Sequence, residues 1–74
     1  MAKEYTYRTY KEFDTDMVYR REEDDETLED KVWDYQNKEW KPSRTASGVF
    51  VGFEPSKVIT EAEAKKIIGE DFHR

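Results

Sequence analysis

Carboxylates are the side chains of this sequence best suited to chemistry. Residues 22 to 30 read EEDDETLED, which places seven acids within nine positions. Carboxylates this dense can attract a hard cation, act as an acid–base pair in a pocket that shifts a pKa, or imitate a phosphate backbone. Since like charges repel and resist packing, the run is predicted to be a solvated acidic loop over about 22 to 30. The residues in it predicted to bind a partner are Glu22, Glu23, Asp24, Asp25 and Glu26.

A second group of carboxylates, in the sequence DTD at 14 to 16, begins like a calcium-binding loop. The pattern then fails. Val18 stands at the third oxygen ligand, Tyr19 at the required glycine, and Asp25 at the final glutamate. With no cysteine and one histidine, the chain also lacks the usual ligands of a zinc site. We therefore predict neither a metal nor a cofactor.

Nucleophilic and acid–base catalysis lack their usual residues. The one histidine, His73, stands beside Arg74 in a tail, about 70 to 74, that is predicted to fray. The serines have no evident base, and the three glycines form no phosphate-binding loop. A chain of 74 residues also has little volume for a pocket that shifts a pKa. The protein is expected not to be an enzyme.

Size and composition favour one small domain over residues 1 to 74. A chain this short buries only about 60% of the surface that its unfolded form exposes. Charged residues make up 42% of the sequence, so eleven aromatic residues must supply most of the core. There is no signal-peptide pattern, no apolar run of transmembrane length and no cysteine. We expect a cytoplasmic protein that does not bind membranes.

The charge is unevenly distributed along the chain. Residues 12 to 30 carry ten acids and two arginines, a net charge of −8, within a total of −5. Binding to a phosphate backbone requires lysine and arginine to displace counterions. The sequence therefore predicts no direct binding of nucleic acid, although aromatic residues do stand beside several cations.

A first β-hairpin is predicted over about 4 to 22. Its tyrosines and threonines suit a half-buried sheet, and a three-residue turn at 14 to 16 would pair Phe13 with Met17. The alternative is a helix that uses Tyr10, Phe13 and Met17 at spacings of three and four. The hairpin register predicts one aromatic face, made of Tyr5, Tyr7, Phe13, Met17 and Tyr19.

A second hairpin is predicted over about 31 to 42, around the sequence WDYQNKEW. A four-residue loop over 35 to 38 pairs Asp34 with Glu39 and sets Trp33 opposite Trp40 on one face. A three-residue loop ending at Asn37 would instead place Trp33 on the wet face. The four-residue loop gives the cleaner core, so both tryptophans are predicted to share one buried face.

The same stretch is similar to a pattern found in short, uncharacterised bacterial and phage proteins. WDYQNKEW at 33 to 40 and ITEAEA at 59 to 64 resemble their W-D-x-x-x-G-x-W hairpin and the I-T-E-x-E-A helix that follows it. Lys38 stands where that hairpin has glycine. The match covers residues 31 to 68 at most. No activity is established for such proteins, so the resemblance implies an architecture and no function.

The C-terminal third predicts a helix over about 61 to 68. Thr60 and Glu63 have the spacing of a capping box, in which each side chain bonds a free backbone N–H of the other. Gly69 ends the helix. Its narrow apolar stripe must dock on the sheet, and consists of Ala64, Ile67 and Ile68.

Residues 48 to 53, GVFVGF, are too short and too apolar for their period to be read, and a strand or extended segment is expected there. These elements together predict an α+β fold. It consists of a small antiparallel sheet, with hairpins at about 4 to 22 and 31 to 42, packed by one C-terminal helix.

Two functions fit this sequence. The first is an acidic, non-catalytic module that binds a protein partner through the carboxylate run or through aromatic residues that include Trp33 and Tyr35. The second is a phage-type or regulatory inhibitor whose carboxylates replace phosphates and block a nucleic-acid-binding protein. A homodimer suits both, because a small core and exposed strand edges encourage pairing.

Overall fold

The structure, a computed structural model, describes residues 3 to 52 and 56 to 73. One antiparallel sheet of five strands, in the order β4-β3-β2-β1-β5, carries a short helix on each face. This confirms the predicted α+β class. The elements along the chain are β1 (Glu4–Glu12), β2 (Thr15–Glu23), β3 (Leu28–Asp34), β4 (Glu39–Pro42), α1 (Arg44–Val51), β5 (Lys57–Ile59) and α2 (Glu61–Ile68).

The predicted first hairpin exists, but its turn and its register differ from the prediction. The turn has two residues, Phe13 and Asp14, both with positive φ (48° and 64°), and it pairs Tyr10 with Met17. Two left-handed central residues match the right-handed twist of the flanking strands. As a result, Met17 and Tyr19 lie on the opposite face of the sheet from Tyr5 and Tyr7.

Burial on both faces explains why the register was wrong. Val18, Tyr19 and Arg20 are consecutive and all buried, so β2 has no alternation of wet and dry positions. One of its faces packs against α2, and the other packs against α1. A strand covered on both sides gives no period-two signal from which a register can be read.

The tryptophan hairpin is confirmed as predicted. Trp33 pairs with Trp40, and Asp34 pairs with Glu39, across the four-residue loop. The two indoles meet edge to face with centroids 5.1 Å apart. Lys38 closes the loop in the left-handed conformation, with φ of 56°, at the position where the resembling hairpins have glycine.

The α2 face of the sheet holds the larger core. Arg20 lies there between two rings, with its guanidinium carbon 5.0 Å from the centroid of Tyr5 and 4.2 Å from that of Trp40. Such stacking keeps a buried cation against aromatic faces. The buried residues of this core are Tyr7, Val18, Trp33, Trp40, Ile59 and Ala64.

The C-terminal helix is confirmed, with the same bounds and with both hydrogen bonds of the capping box. The tail after it packs on the sheet as far as His73. Phe72 and His73 both contact the tryptophan pair, and Trp40 donates a hydrogen bond of 2.7 Å to the carbonyl oxygen of His73. Arg74 lies outside the described residues.

The segment predicted to be extended at 48 to 53 is instead the second half of α1, although Phe53 lies outside the described residues. The hydroxyl of Ser43 accepts the N–H of Ala46 and so caps the helix. One face of the helix then packs on Tyr19 and its neighbours. This face consists of Ala46, Val49 and Phe50, at spacings of three and one. The prediction rested on residues 48 to 53 alone, and the cap at Ser43 lies before them.

Candidate functional site

The acidic end of the sheet is formed where β1 begins and β2 ends. Glu4 lies directly opposite Glu23 across the two strands, and both are exposed. Neither forms a salt bridge with any residue that the structure describes. Like charges directly opposite each other destabilise a strand pair. The fold therefore carries an electrostatic cost at this end of the hairpin, opposed by the attraction between Glu23 and Arg21.

The loop from Asp24 to Thr27 continues this acidic surface and is closed by one carboxylate. Oδ1 of Asp24 accepts the backbone N–H of Glu26 at 2.8 Å, and both the N–H and the hydroxyl of Thr27 at 2.7 and 3.0 Å. These hydrogen bonds lower the pKa of Asp24. Asp24 thus serves the loop itself, while Asp25 and Glu26 remain exposed. The loop ends where β3 begins, at Leu28.

A small cleft collects carboxylates from three elements. It has a volume of about 170 Å³ and lies between β1, the end of β2 and the loop after it. The lining side chains carry one sign of charge, so the field in the cleft attracts cations. They are Glu4, Glu23, Asp24 and Asp25.

Glu22, predicted to be part of the exposed acidic run, is buried with 4% of its surface exposed. It forms a salt bridge with Arg20, which is buried too, and its carboxylate lies 3.3 Å from Nζ of Lys31 and 3.7 Å from Nζ of Lys3. Burial alone would raise the pKa of Glu22, but the hydrogen bond and charge of Arg20, with help from Lys31, outweigh it and lower the pKa. Glu22 is a structural ion inside the fold and is not available to a partner.

The two aromatic residues predicted to bind a partner lie elsewhere. Trp33 is in the core with 1% of its surface exposed, so a partner cannot reach it while the fold is intact. Tyr35 is partly exposed at the other end of the sheet, where its hydroxyl donates a hydrogen bond of 2.6 Å to the carbonyl oxygen of Asp16. Burial and the Asp16 carboxylate raise the pKa of Tyr35.

Of the predicted site residues, the structure therefore brings together Glu23, Asp24, Asp25 and Glu26, and separates the rest from them. The residue that sequence reasoning missed is Glu4. It is the one acid in residues 1 to 11, which carry a net positive charge. Only the register of the first hairpin places it against Glu23. No local pattern in the sequence indicates that pairing.

Among the described residues, no group of three or more histidine, aspartate or glutamate side chains is arranged to hold a metal ion. In that same part of the chain, no helix has the length and apolar character needed to cross a membrane. Comparison with protein-family models, with curated proteins and with solved structures found no match to this chain.

Proposed function

We propose that this protein is a small, non-catalytic, cytoplasmic module that binds a basic surface of a protein partner through its acidic end. The observation that carries the proposal is the direct opposition of Glu4 and Glu23, with no compensating salt bridge among the described residues. A cationic partner would relieve this repulsion, so the stability lost in the free protein would be recovered on binding. Asp25 and Glu26, both exposed, extend the same surface.

The resemblance to short bacterial and phage proteins concerns the architecture and does not support the proposed function. It concerns the tryptophan hairpin and α2, and neither contributes to the acidic end.

The test must remove charge without unfolding the protein. Glu22 and Asp24 are kept, because one lies in a buried ion network and the other closes the loop. The variant therefore combines Glu23→Gln, Asp25→Asn and Glu26→Gln. Its matched control removes the same charge from exposed acids elsewhere, with Glu39→Gln, Glu70→Gln and Asp71→Asn.

Each immobilised protein is used to capture binding partners from lysate of the source organism at low and at high salt. Wild type and control are expected to retain the same basic protein at low salt, and the acidic-end variant is expected to lose it. Charge pairs at an exposed rim are screened by salt, so high salt should release the partner. Equal retention by the acidic-end variant would overturn the proposal.

A second candidate function is inhibition of a nucleic-acid-binding protein by imitation of phosphates. The grouping of carboxylates from three elements around one cleft favours it. It requires that the captured partner bind DNA or RNA and that added nucleic acid displace the module. If the captured partner does not bind nucleic acid, the second function is excluded and the first is the one that remains.

A further inference from the structure

Phe13, at the tip of the first hairpin, is the most exposed large hydrophobic residue in the part of the chain that the structure describes. Its side chain is 94% exposed, and its backbone has φ of 48°. The left-handed conformation is rare for a bulky residue, and the turn positions that need it are usually occupied by asparagine, aspartate or glycine. Neither local conformation nor burial explains an aromatic ring at this place.

Asp14 and Asp16 give this tip an acidic setting. Both are exposed, and Asp14 also has positive φ, of 64°. Lys11 is the cation opposite Asp16 in the register. The tip therefore presents one apolar ring with carboxylates beside it, which disfavours an anionic lipid surface and favours an apolar site with a basic rim.

A surface with two cations and one carboxylate around an apolar floor lies on the outer side of α2. A shallow groove of about 440 Å³ is lined by Ala62, Lys65, Lys66, Gly69 and Glu70. Ala62 and Gly69 leave room for a ring, and the aliphatic stems of the two lysines supply apolar walls while their ammonium groups stay at the rim. An aromatic face close to an ammonium group adds a cation–π contribution.

We propose that the Phe13 tip of one molecule docks in the α2 groove of a second copy. The ring of Phe13 lies over Ala62, while Asp14 and Asp16 face the ammonium groups of Lys65 and Lys66. Tip and groove are different surfaces, so the contact is head-to-tail and leaves a free tip at one end and a free groove at the other. A contact this small is weak, so it becomes populated towards millimolar concentration.

This interface is independent of the proposed function. The tip lies at the far end of the β1–β2 hairpin from Glu4 and Glu23, because Glu4 pairs with Glu23 at one end and Glu12 with Thr15 at the other. A variant that no longer self-associates keeps its acidic end. A variant that lacks the acidic charges keeps its tip and its groove.

The test uses two variants, each lacking one half of the contact. Phe13→Asn removes the ring and places a residue that tolerates the left-handed conformation in the turn. The pair Lys65→Glu with Lys66→Glu inverts the rim of the groove. Sedimentation equilibrium over a concentration series is expected to show wild type growing beyond a dimer, and each variant monomeric on its own.

The decisive sample is an equimolar mixture of the two variants. One retains a working groove and the other retains a working tip, so the mixture is expected to form a one-to-one dimer and nothing larger. A wild type that stays monomeric at millimolar concentration, a Phe13→Asn variant that associates like wild type, or a mixture that stays monomeric would each overturn the proposal.

Circular dichroism checks that the variants are folded. If the double lysine variant does not fold, Ala62→Arg fills the same groove and replaces it in the mixture. As an independent readout, amide NMR shifts of Ala62 and Gly69 in wild type should move on concentration and stay fixed in Phe13→Asn. Fixed shifts in wild type would also overturn the proposal.

Discussion

The indole N–H of Trp40 donates a hydrogen bond of 2.7 Å to the carbonyl oxygen of His73, which joins the β3–β4 hairpin to the C-terminal tail. The ring of Phe72, one residue earlier, lies 6.1 Å from that of Tyr7 and 6.4 Å from that of Trp40. The last described residues thus complete the core on the α2 face. A 74-residue chain gains from every such contact, because its core is small.

Removing the Phe72 ring should destabilise the protein. Phe72→Ala is expected to lower the free energy of unfolding by about 2 kcal/mol, through lost aromatic contact and a void beside Trp40. The midpoint of urea unfolding, followed by tryptophan fluorescence, measures the loss. Glu70→Ala, an exposed change in the same tail, is the control and should stay within about 0.5 kcal/mol of wild type. Equal midpoints for the two variants would mean that the tail does not contribute to the core.

Neutralising Glu22 should be far more costly than neutralising an exposed acid. Glu22→Gln leaves the buried guanidinium of Arg20 without its counterion, and breaking a buried pair in this way costs about 3 kcal/mol. Glu29→Gln, which removes an exposed carboxylate from Lys31, is the matched control and should cost less than about 0.5 kcal/mol. Urea unfolding at neutral pH compares the two variants.

The cost of Glu22→Gln should also depend on pH. The pKa of Glu22 is lower in the folded protein than in the unfolded chain, so its carboxylate stabilises the fold above the unfolded value of about 4.3. That contribution disappears as the pH falls through the lowered folded value. The difference in unfolding free energy between wild type and Glu22→Gln should therefore shrink in acid, and a difference that grows as the pH falls would contradict this ion network.

Lys38→Gly should stabilise the protein. Lys38 has φ of 56°, a backbone conformation that is strained for residues other than glycine. Its ion pair with Asp71, at 3.6 Å, is exposed and weak. We expect a gain of about 0.5 kcal/mol, since the strain relieved exceeds the added entropy of the unfolded chain. Thermal unfolding measures the gain. Gln36→Gly, in the same loop without positive φ, should lower the melting temperature, and a fall in both variants would exclude strain at Lys38.

Arg21→Lys should destabilise the protein, because lysine cannot reproduce the contacts of this guanidinium group. Arg21 binds Asp30 through two hydrogen bonds, of 2.8 and 3.1 Å, and lies 4.9 Å from the ring centroid of Phe50 on α1. Lysine cannot form the paired bonds or stack as a plane, so a loss of about 1 kcal/mol is expected in urea unfolding. Arg44→Lys, at an exposed position, is the control and should be neutral. Equal stability of both variants would contradict the role of the guanidinium plane.

What could be predicted from the sequence was local. The capping box of α2 needs only Thr60 and Glu63, and the parity of one loop is enough to set Trp33 opposite Trp40. Both predictions are confirmed. The register of the first hairpin was wrong because Tyr19 and its neighbours are buried on both faces, which removes the alternation on which a register prediction rests.

The candidate site was harder to predict, because charge along the chain does not report burial. Glu22 and Asp25 look alike in the sequence, yet one is paired inside the fold and the other is exposed in a loop. The opposition of Glu4 to Glu23 depends on a register that no local pattern specifies. Phe13 was expected on the aromatic face of the first hairpin and instead lies exposed in the turn.

The strand order gives the sheet two kinds of edge. Strands β1 to β4 pair with their neighbours in sequence, so they form by short loop closures. Strand β5 instead returns across the molecule to pair Ile59 with Tyr7, more than fifty positions earlier. Long closures carry the larger entropic cost and are made late in folding. The β5 edge should therefore be the last part of the sheet to assemble and the first to open, with amide protons that exchange with solvent ahead of those in β2.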